Sequence, residues 1–166
     1  MSPLWQHKQR RVTRMIESMM VKRVIRSVWD TMSQDTFDVD SFMKTADDDQ
    51  VWDSTSELGV GETLIGKKAI SEWFHRWQKE FPKRKFVVKN VCMKGSFLPS
   101  PSNVVMVEWG CVETDKEGKE FQYDGVTVFE MKNLKNVRAS EYLSFKGLPK
   151  LSTLIRPTGK AQAERR

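Results

Sequence analysis

Between Arg10 and Ser33 the apolar positions run Met15, Ile16, Met19, Met20, Val24, Ile25, Val28, Trp29 and Met32. Steps of three and four predict one long amphipathic helix. The stretch QDTFDVDSF then offers Asp35 or Asp38 as N-cap of a short second helix over 39–44. QVWDST predicts a short strand, and ELGVGETLIG a glycine-bearing connector. In KKAISEWFHRWQKEFP, Ile70, Trp73, Phe74, Trp77 and Phe81 fall at i, i+3, i+4, i+7 and i+11, and Pro82 ends the run. This is the clearest helix signal in the chain.

After Pro82 the period changes to two. KFVVKNVCMKGSF, SNVVMVEWGCVET, KEFQYDGVTVFEMK and NVRASEYLSF are rich in valine and aromatic residues, and LPSPS, DKEGK and KNLK separate them. Strands joined by turns this short pair as an antiparallel meander. The expected fold is therefore α+β: a curved antiparallel sheet of four long strands plus one short strand, wrapped by three helices into a cone with a pocket. Both faces of the strands carry apolar residues, so alternation alone does not decide which face looks inward. An outer face bearing Val107, Trp109 and Phe129, or their alternates, would be sticky in water.

A chain of 166 residues suits one domain. We expect a basic extension over 1–14, the folded domain over 15–145 and a basic tail over 146–166, disordered after about Arg156. Hydrophobic residues at 39% against 30% charged are the composition of a soluble globular protein. No apolar run reaches the roughly 18 residues that a spanning helix needs, and no membrane partner is expected. Arg10, Arg11 and Arg14 interrupt any secretory signal core. An Arg-rich, acid-poor start also fits a mitochondrial transit sequence, but a cytoplasmic location is the default expectation.

The charge is unevenly spread. Residues 1–26 carry seven Lys and Arg against Glu17 alone, and residues 146–166 carry six against Glu164 alone, so the middle of the chain is acidic. Basic ends can touch nucleic acid or anionic lipid. Solvated tails are the simpler account, and nucleic acid is not an expected partner. Cys92 and Cys111 fall within strands without a CxxC spacing or a nearby histidine, which predicts two buried, reduced thiols and no zinc site.

The order of helix, short helix, ADDDQVWD strand, GKKAISEWF helix and a meander ending in ASEYL resembles the SnoaL-like branch of the nuclear transport factor two-like superfamily. Three features over about residues 15–145 carry the resemblance: the acidic turn and strand at 46–53, Gly66 to Ile70 opening a helix, and YDGVTVFE followed by ASEYLS. The resemblance implies a hydrophobic small-molecule ligand, no cofactor, and a homodimer through the outer sheet face.

ADDDQVWD is similar, without a gap, to the stretch that holds the general base of ketosteroid isomerases, which implies that Asp53 is a base. The same register puts Trp29 in place of a tyrosine that donates to the developing oxyanion, and Gly125 in place of a protonated aspartate. Asp124, beside it, would point to the opposite face. In the polyketide cyclases of this type an acid closes an EYxD stretch; here EYLS puts Ser144 there. The expected chemistry is a cofactor-independent isomerase- or cyclase-type proton transfer on a hydrophobic oxygenated substrate. A non-catalytic ligand-binding or dimerisation module of the same fold is the alternative.

The candidate catalytic residue is thus Asp53, placed by alternation on the face of Val51 and opposite Trp52. A carboxylate among Trp, Val and Phe neighbours would have its pKa raised toward values useful to a base. Candidate substrate-binding residues are Trp29, Trp52, Trp73, Trp77, Tyr123 and Tyr142. Tyr123 and Thr127 share one strand face, and Arg138, Tyr142 and Ser144 share another. Asp47, Asp48 and Asp49 splay in different directions and lack the spacing of a calcium loop, so they read as a solvated turn, and no metal site is expected. His75 falls on the polar side of its helix.

Overall fold

The computed structural model describes residues 3–56, 61–95 and 102–145. Three helices, α1 (Pro3–Met32), α2 (Val39–Met43) and α3 (Lys67–Glu80), pack on a six-stranded sheet. Its strands are β1 (Ala46–Ser56), β2 (Glu62–Ile65), β3 (Lys83–Lys94), β4 (Ser102–Thr114), β5 (Glu120–Lys132) and β6 (Lys135–Phe145), in the order β2-β1-β6-β5-β4-β3. The curved α+β sheet with helices inside its curl is the expected fold. The tail after Phe145 lies outside the described residues.

Two details of the sheet differ from the sequence pattern. The connector after β1 contains β2, which pairs antiparallel with β1 from Val51↔Ile65 to Ser54↔Glu62. Four residues beside glycine are too few for a period to show. The sheet is also mixed, because β1 runs parallel to β6, with Trp52 beside Ala139 and Ser54 beside Glu141. No hairpin joins these two strands, so loop length does not dictate their relative direction.

The meander itself is antiparallel throughout, and its inward face consists of Val105, Val107, Trp109, Cys111 and Glu113 on β4 and of Phe121, Tyr123, Gly125, Thr127 and Phe129 on β5. Asn133 and Leu134 close the β5–β6 hairpin with φ of 50° and 65°. Positive φ at both central residues matches the right-handed twist of the flanking strands.

Asp38 caps α2, its Oδ1 accepting from the Ser41 N–H at 3.0 Å. Gly66, at φ 88°, turns the chain into α3 and donates its N–H to the Gln50 carbonyl at 2.8 Å. Ile70, Phe74 and Trp77 of α3 are buried and Trp73 is half-buried, as the periodicity predicts. Arg84, on β3, joins the ends of two helices to the sheet. Its guanidinium donates to the carbonyls of Met32 at 3.2 Å, Gln34 at 3.1 Å and Phe81 at 2.5 Å, and lies 4.7 Å from the centre of the Trp77 ring. Carbonyls at a helix C-terminus lack internal partners, and a buried cation meets that need.

The first helix is not the single amphipathic stripe that its spacing suggests. Val21, Ile25, Val28, Trp29 and Met32 pack on the core, whereas Val12, Met15, Ile16, Met19, Met20 and Val24 are exposed. The apolar residues at 12, 16, 20, 24, 28 and 32 step by four, and each such step turns about 40° further round an α-helix. Over five steps the apolar line moves about 200°, from the outer side to the core side. Cys111 is buried as expected, but Cys92 is exposed, because it lies beyond the irregular pairing of β3 at Val88/Asn90.

Candidate functional site

The concave face of the sheet is covered by rings in mutual contact. Trp29 of α1 meets Phe129 edge-on at 5.8 Å, Phe129 meets Trp52 at 6.3 Å, and Trp52 meets Phe74 of α3 at 5.2 Å. From Phe74 the contacts continue through Trp77 and Phe86 to Trp109 and Tyr123. Edge-to-face pairs of this kind each add a fraction of a kcal/mol, up to about 1.5 kcal/mol, beyond the area they bury. Two carboxyls stand within this apolar surface, Glu141 on β6 and Glu113 on β4.

Glu141 shares its inward parity with Ala139 and Leu143. Its Oε2 accepts from Ser54 Oγ at 3.2 Å, and Trp52 and Thr127 also donate to the carboxyl. Thr127 is oriented for this by Trp109, whose Nε1–H donates to Thr127 Oγ1 at 2.8 Å and leaves the hydroxyl hydrogen free to point at Glu141. Burial pushes the Glu141 pKa up to about 7, and its three donors offset only part of that rise. The carboxyl end is enclosed, while the residue as a whole, like Ser54 and Leu143 beside it, keeps some exposed surface.

Glu113 lies deeper and is fully buried. Its Oε1 accepts from Trp77 Nε1 at 2.8 Å, the Tyr123 hydroxyl lies within reach of the same carboxyl, and Oε2 has no partner. Burial raises its pKa to about 7, against the lowering effect of Tyr123, Trp77 and the Arg84 charge. Glu141 pushes it further up, so the two carboxyls sense one another. Tyr123 and Cys111 are held well above their ordinary values, first by burial and then by the Glu113 charge, which makes the thiol inert as a nucleophile.

The sequence-predicted residues divide between the two faces. Trp29, Trp52, Trp77 and Tyr123 are buried on the concave side. Trp73 is half-buried and stacks on Trp77 at 6.2 Å. Asp53 lies on the opposite face from Trp52 and pairs there with Arg138. Alternation left a choice between burying Trp52 and burying Asp53, and the larger apolar side chain took the inside. Tyr142 is likewise outside, 56% exposed. Asp124 forms an outer ion pair with Lys89 at 2.6 Å. His75 is exposed and pairs with Asp40 at 3.5 Å. The three aspartates fall where the β1–β6 register jumps, between Ala46 and Val51, and Asp48 and Asp49 are exposed.

Sequence reasoning passed over Glu113 and Glu141 because acids in alternating strands read as solvent-facing. The available signal was parity: along β4 Glu113 falls in step with Val105, Val107, Trp109 and Cys111, none of them charged. No group of three or more metal-binding side chains occurs among the described residues. A groove of about 460 Å³ lies at Asp40, Met43, Asp48, Lys67, Lys68, Ser71 and Glu72, on the outside of α2 and α3 and lined by neither carboxyl.

A family model described as a SnoaL-like domain matches residues 21–139. The chain belongs to the SnoaL-like domain family. Its fold is that of the nuclear transport factor two-like superfamily, shared with a number of solved structures. A candidate aromatic ring hydroxylase from Novosphingobium aromaticivorans is 14% identical, with a TM-score of 0.65 over 80% of this chain and 94% of its own. A candidate isomerase from Bacillus subtilis is 19% identical, with a TM-score of 0.58 over 77% and 88%. A protein with a ketosteroid isomerase-like fold from Catenulispora acidiphila, in complex with trimethylamine, is 15% identical, with a TM-score of 0.56 over 71% and 83%. No curated protein matches the sequence significantly.

Within this SnoaL-like domain, the positions that the resemblance gives to oxyanion donors hold unusual residues. A Cβ on Gly125 would stand 2.4 Å from Cζ2 of Trp109, so the indole occupies the space of the missing side chain. Trp29, at the other position, is 4% exposed and its Nε1–H has no hydrogen-bond partner. A buried donor without a partner costs about 1–3 kcal/mol.

Proposed function

We propose that this SnoaL-like protein binds a hydrophobic, oxygenated small molecule against the concave face and moves a proton with Glu141, without a cofactor. The carrying observation is a carboxyl with its pKa near 7, held by Ser54, Thr127 and Trp52 among aromatic rings. A base poised near the working pH serves equally in its ionised and protonated forms, as isomerisation and cyclisation both require. The unpartnered Trp29 N–H supports a ligand oxygen as its acceptor. Trp29 and Trp52 both touch Phe129, which brings the unpartnered donor and the indole beside the carboxyl against one ring.

Asp53 and Tyr142 have no part in this proposal, because their side chains face away from the rings. A non-catalytic binding module is the second reading, favoured by the ring contacts that cross the concave face. A homodimer through the outer sheet face is part of the proposal: Val87, Met106 and Tyr142 lie on it, each more than 40% exposed. A cytoplasmic setting is the default for such a protein.

Native mass spectrometry of the purified protein identifies any carried-over ligand, which then serves as substrate. Glu141→Gln is expected to lower turnover by at least about a hundredfold while binding persists. Unchanged turnover in Glu141→Gln would refute Glu141 as the base. Binding without turnover in the wild type would establish the module reading instead.

A further inference from the structure

We propose that the N-terminal half of α1 docks on an anionic lipid bilayer. Through this half of the helix the apolar line faces away from the sheet. Met15 is 59% exposed, Ile16 50%, and Met19 and Met20 64% each, with Val12 completing the patch. Scattered exposed apolar side chains need no explanation, but five on one helix face, opposite the face that packs on the core, form a contiguous surface. The helix of 30 residues is roughly 45 Å long. Among the described side chains of α1, those packed on the core are Val21, Ile25, Val28, Trp29 and Met32, and the exposed apolar ones at 12–20 precede them.

Charge selects the occupant. The same outer line continues, at steps of three and four, into Arg23 and Arg26, with Lys22 beside it, and all three are exposed and without an ion pair among the described residues. Residues 1–26 hold seven basic residues against one acid. A second copy of the helix would bring like charge against like charge across a Met-rich seam. A negatively charged membrane surface accepts both halves of the pattern: methionine, isoleucine and valine enter the acyl boundary, and the arginines stay with the headgroups. Methionine side chains adapt to a fluid surface at little packing cost. Docking of this kind is peripheral, and no helix among the described residues is long and apolar enough to cross a membrane.

Co-sedimentation of the full chain with phosphatidylcholine vesicles, with and without phosphatidylserine, tests the proposal at low and high salt. Binding is expected only with phosphatidylserine, and should weaken with salt. The variant Lys22→Glu/Arg23→Glu/Arg26→Glu should lose roughly fivefold or more in affinity per charge changed. Met15→Ser/Met19→Ser should lose binding while its thermal unfolding stays at the wild-type temperature, since neither side chain touches the core.

Equal binding to neutral vesicles, no binding to either, or full binding by the serine variant would overturn the proposal. So would a helix-dependent dimer in sedimentation equilibrium that Met19→Ser dissociates. Tighter retention on nucleic acid than on phosphatidylserine vesicles, in direct competition, would also count against it.

Discussion

Glu113 gives the sharpest physical test of the interior. Its carboxyl titrates near 7 in the folded protein, against a reference of 4.5, because burial disfavours the charged form. The sign follows directly. Below the unfolded pKa the group is protonated in both states and costs nothing; as pH rises toward 7 the unfolded state ionises first, and the folded state loses stability. Each pKa unit is worth about 1.4 kcal/mol, so the rise corresponds to about 3 kcal/mol lost between pH 4.5 and 7, and flat above it. Glu141 acts in the same direction over the same window. Against a total of about 5–15 kcal/mol this is a large fraction.

Glu113→Gln removes the ionisation while keeping an oxygen for Trp77 Nε1. Urea unfolding at pH 5 and pH 8 should show the wild type losing stability at the higher pH, and the variant losing about 2.5 kcal/mol less, since part of the unfolded-state ionisation is already complete at pH 5. A wild type whose stability is level or rises over that range, or a variant with the same slope, would refute the argument that this carboxyl is buried and uncompensated.

Gly125→Ala should force the Trp109 ring from its seat, break its bond to Thr127 and destabilise the fold by about 1–3 kcal/mol, seen as a lower unfolding midpoint with changed tryptophan fluorescence. Asp53→Asn should cost no more than about 1 kcal/mol, because its pair with Arg138 sits on the outer face. With the ligand in hand, the same variant should also turn over within about twofold of wild type, as expected of a group outside the acid–base machinery; abolished activity would return the base to that position.

How far the chain could be read varies with the physics of each element. Ile70, Trp73, Phe74, Trp77 and Phe81 announce α3 because one face meets the core over its whole length. The four strands of the meander are equally plain, since their turns are short and their valines alternate. In β1 the pattern fails, because Val51-Trp52-Asp53 admits either inward face, and only the approach of Phe74 and Phe129 to Trp52 resolves it. Glu113 and Glu141 stayed hidden for a related reason. An acid becomes a site when its neighbours in space are apolar, and those neighbours come from other strands. The two faces of α1 were concealed by a spacing that looks like one stripe and rotates.

The parallel pairing of β1 with β6 orders events in time. Ser54 and Trp52 reach Glu141 only across a separation of nearly ninety residues, so this contact closes a loop that takes in most of the domain. A nascent chain emerging from the ribosome therefore holds its first strand without its inner neighbour until the last one is complete, and the edge of β1 that will bind β6 is open for that interval. Truncation before Lys135 would remove the acid and leave that edge unpaired, so a chain cut there would aggregate rather than fold to a smaller version of the same domain.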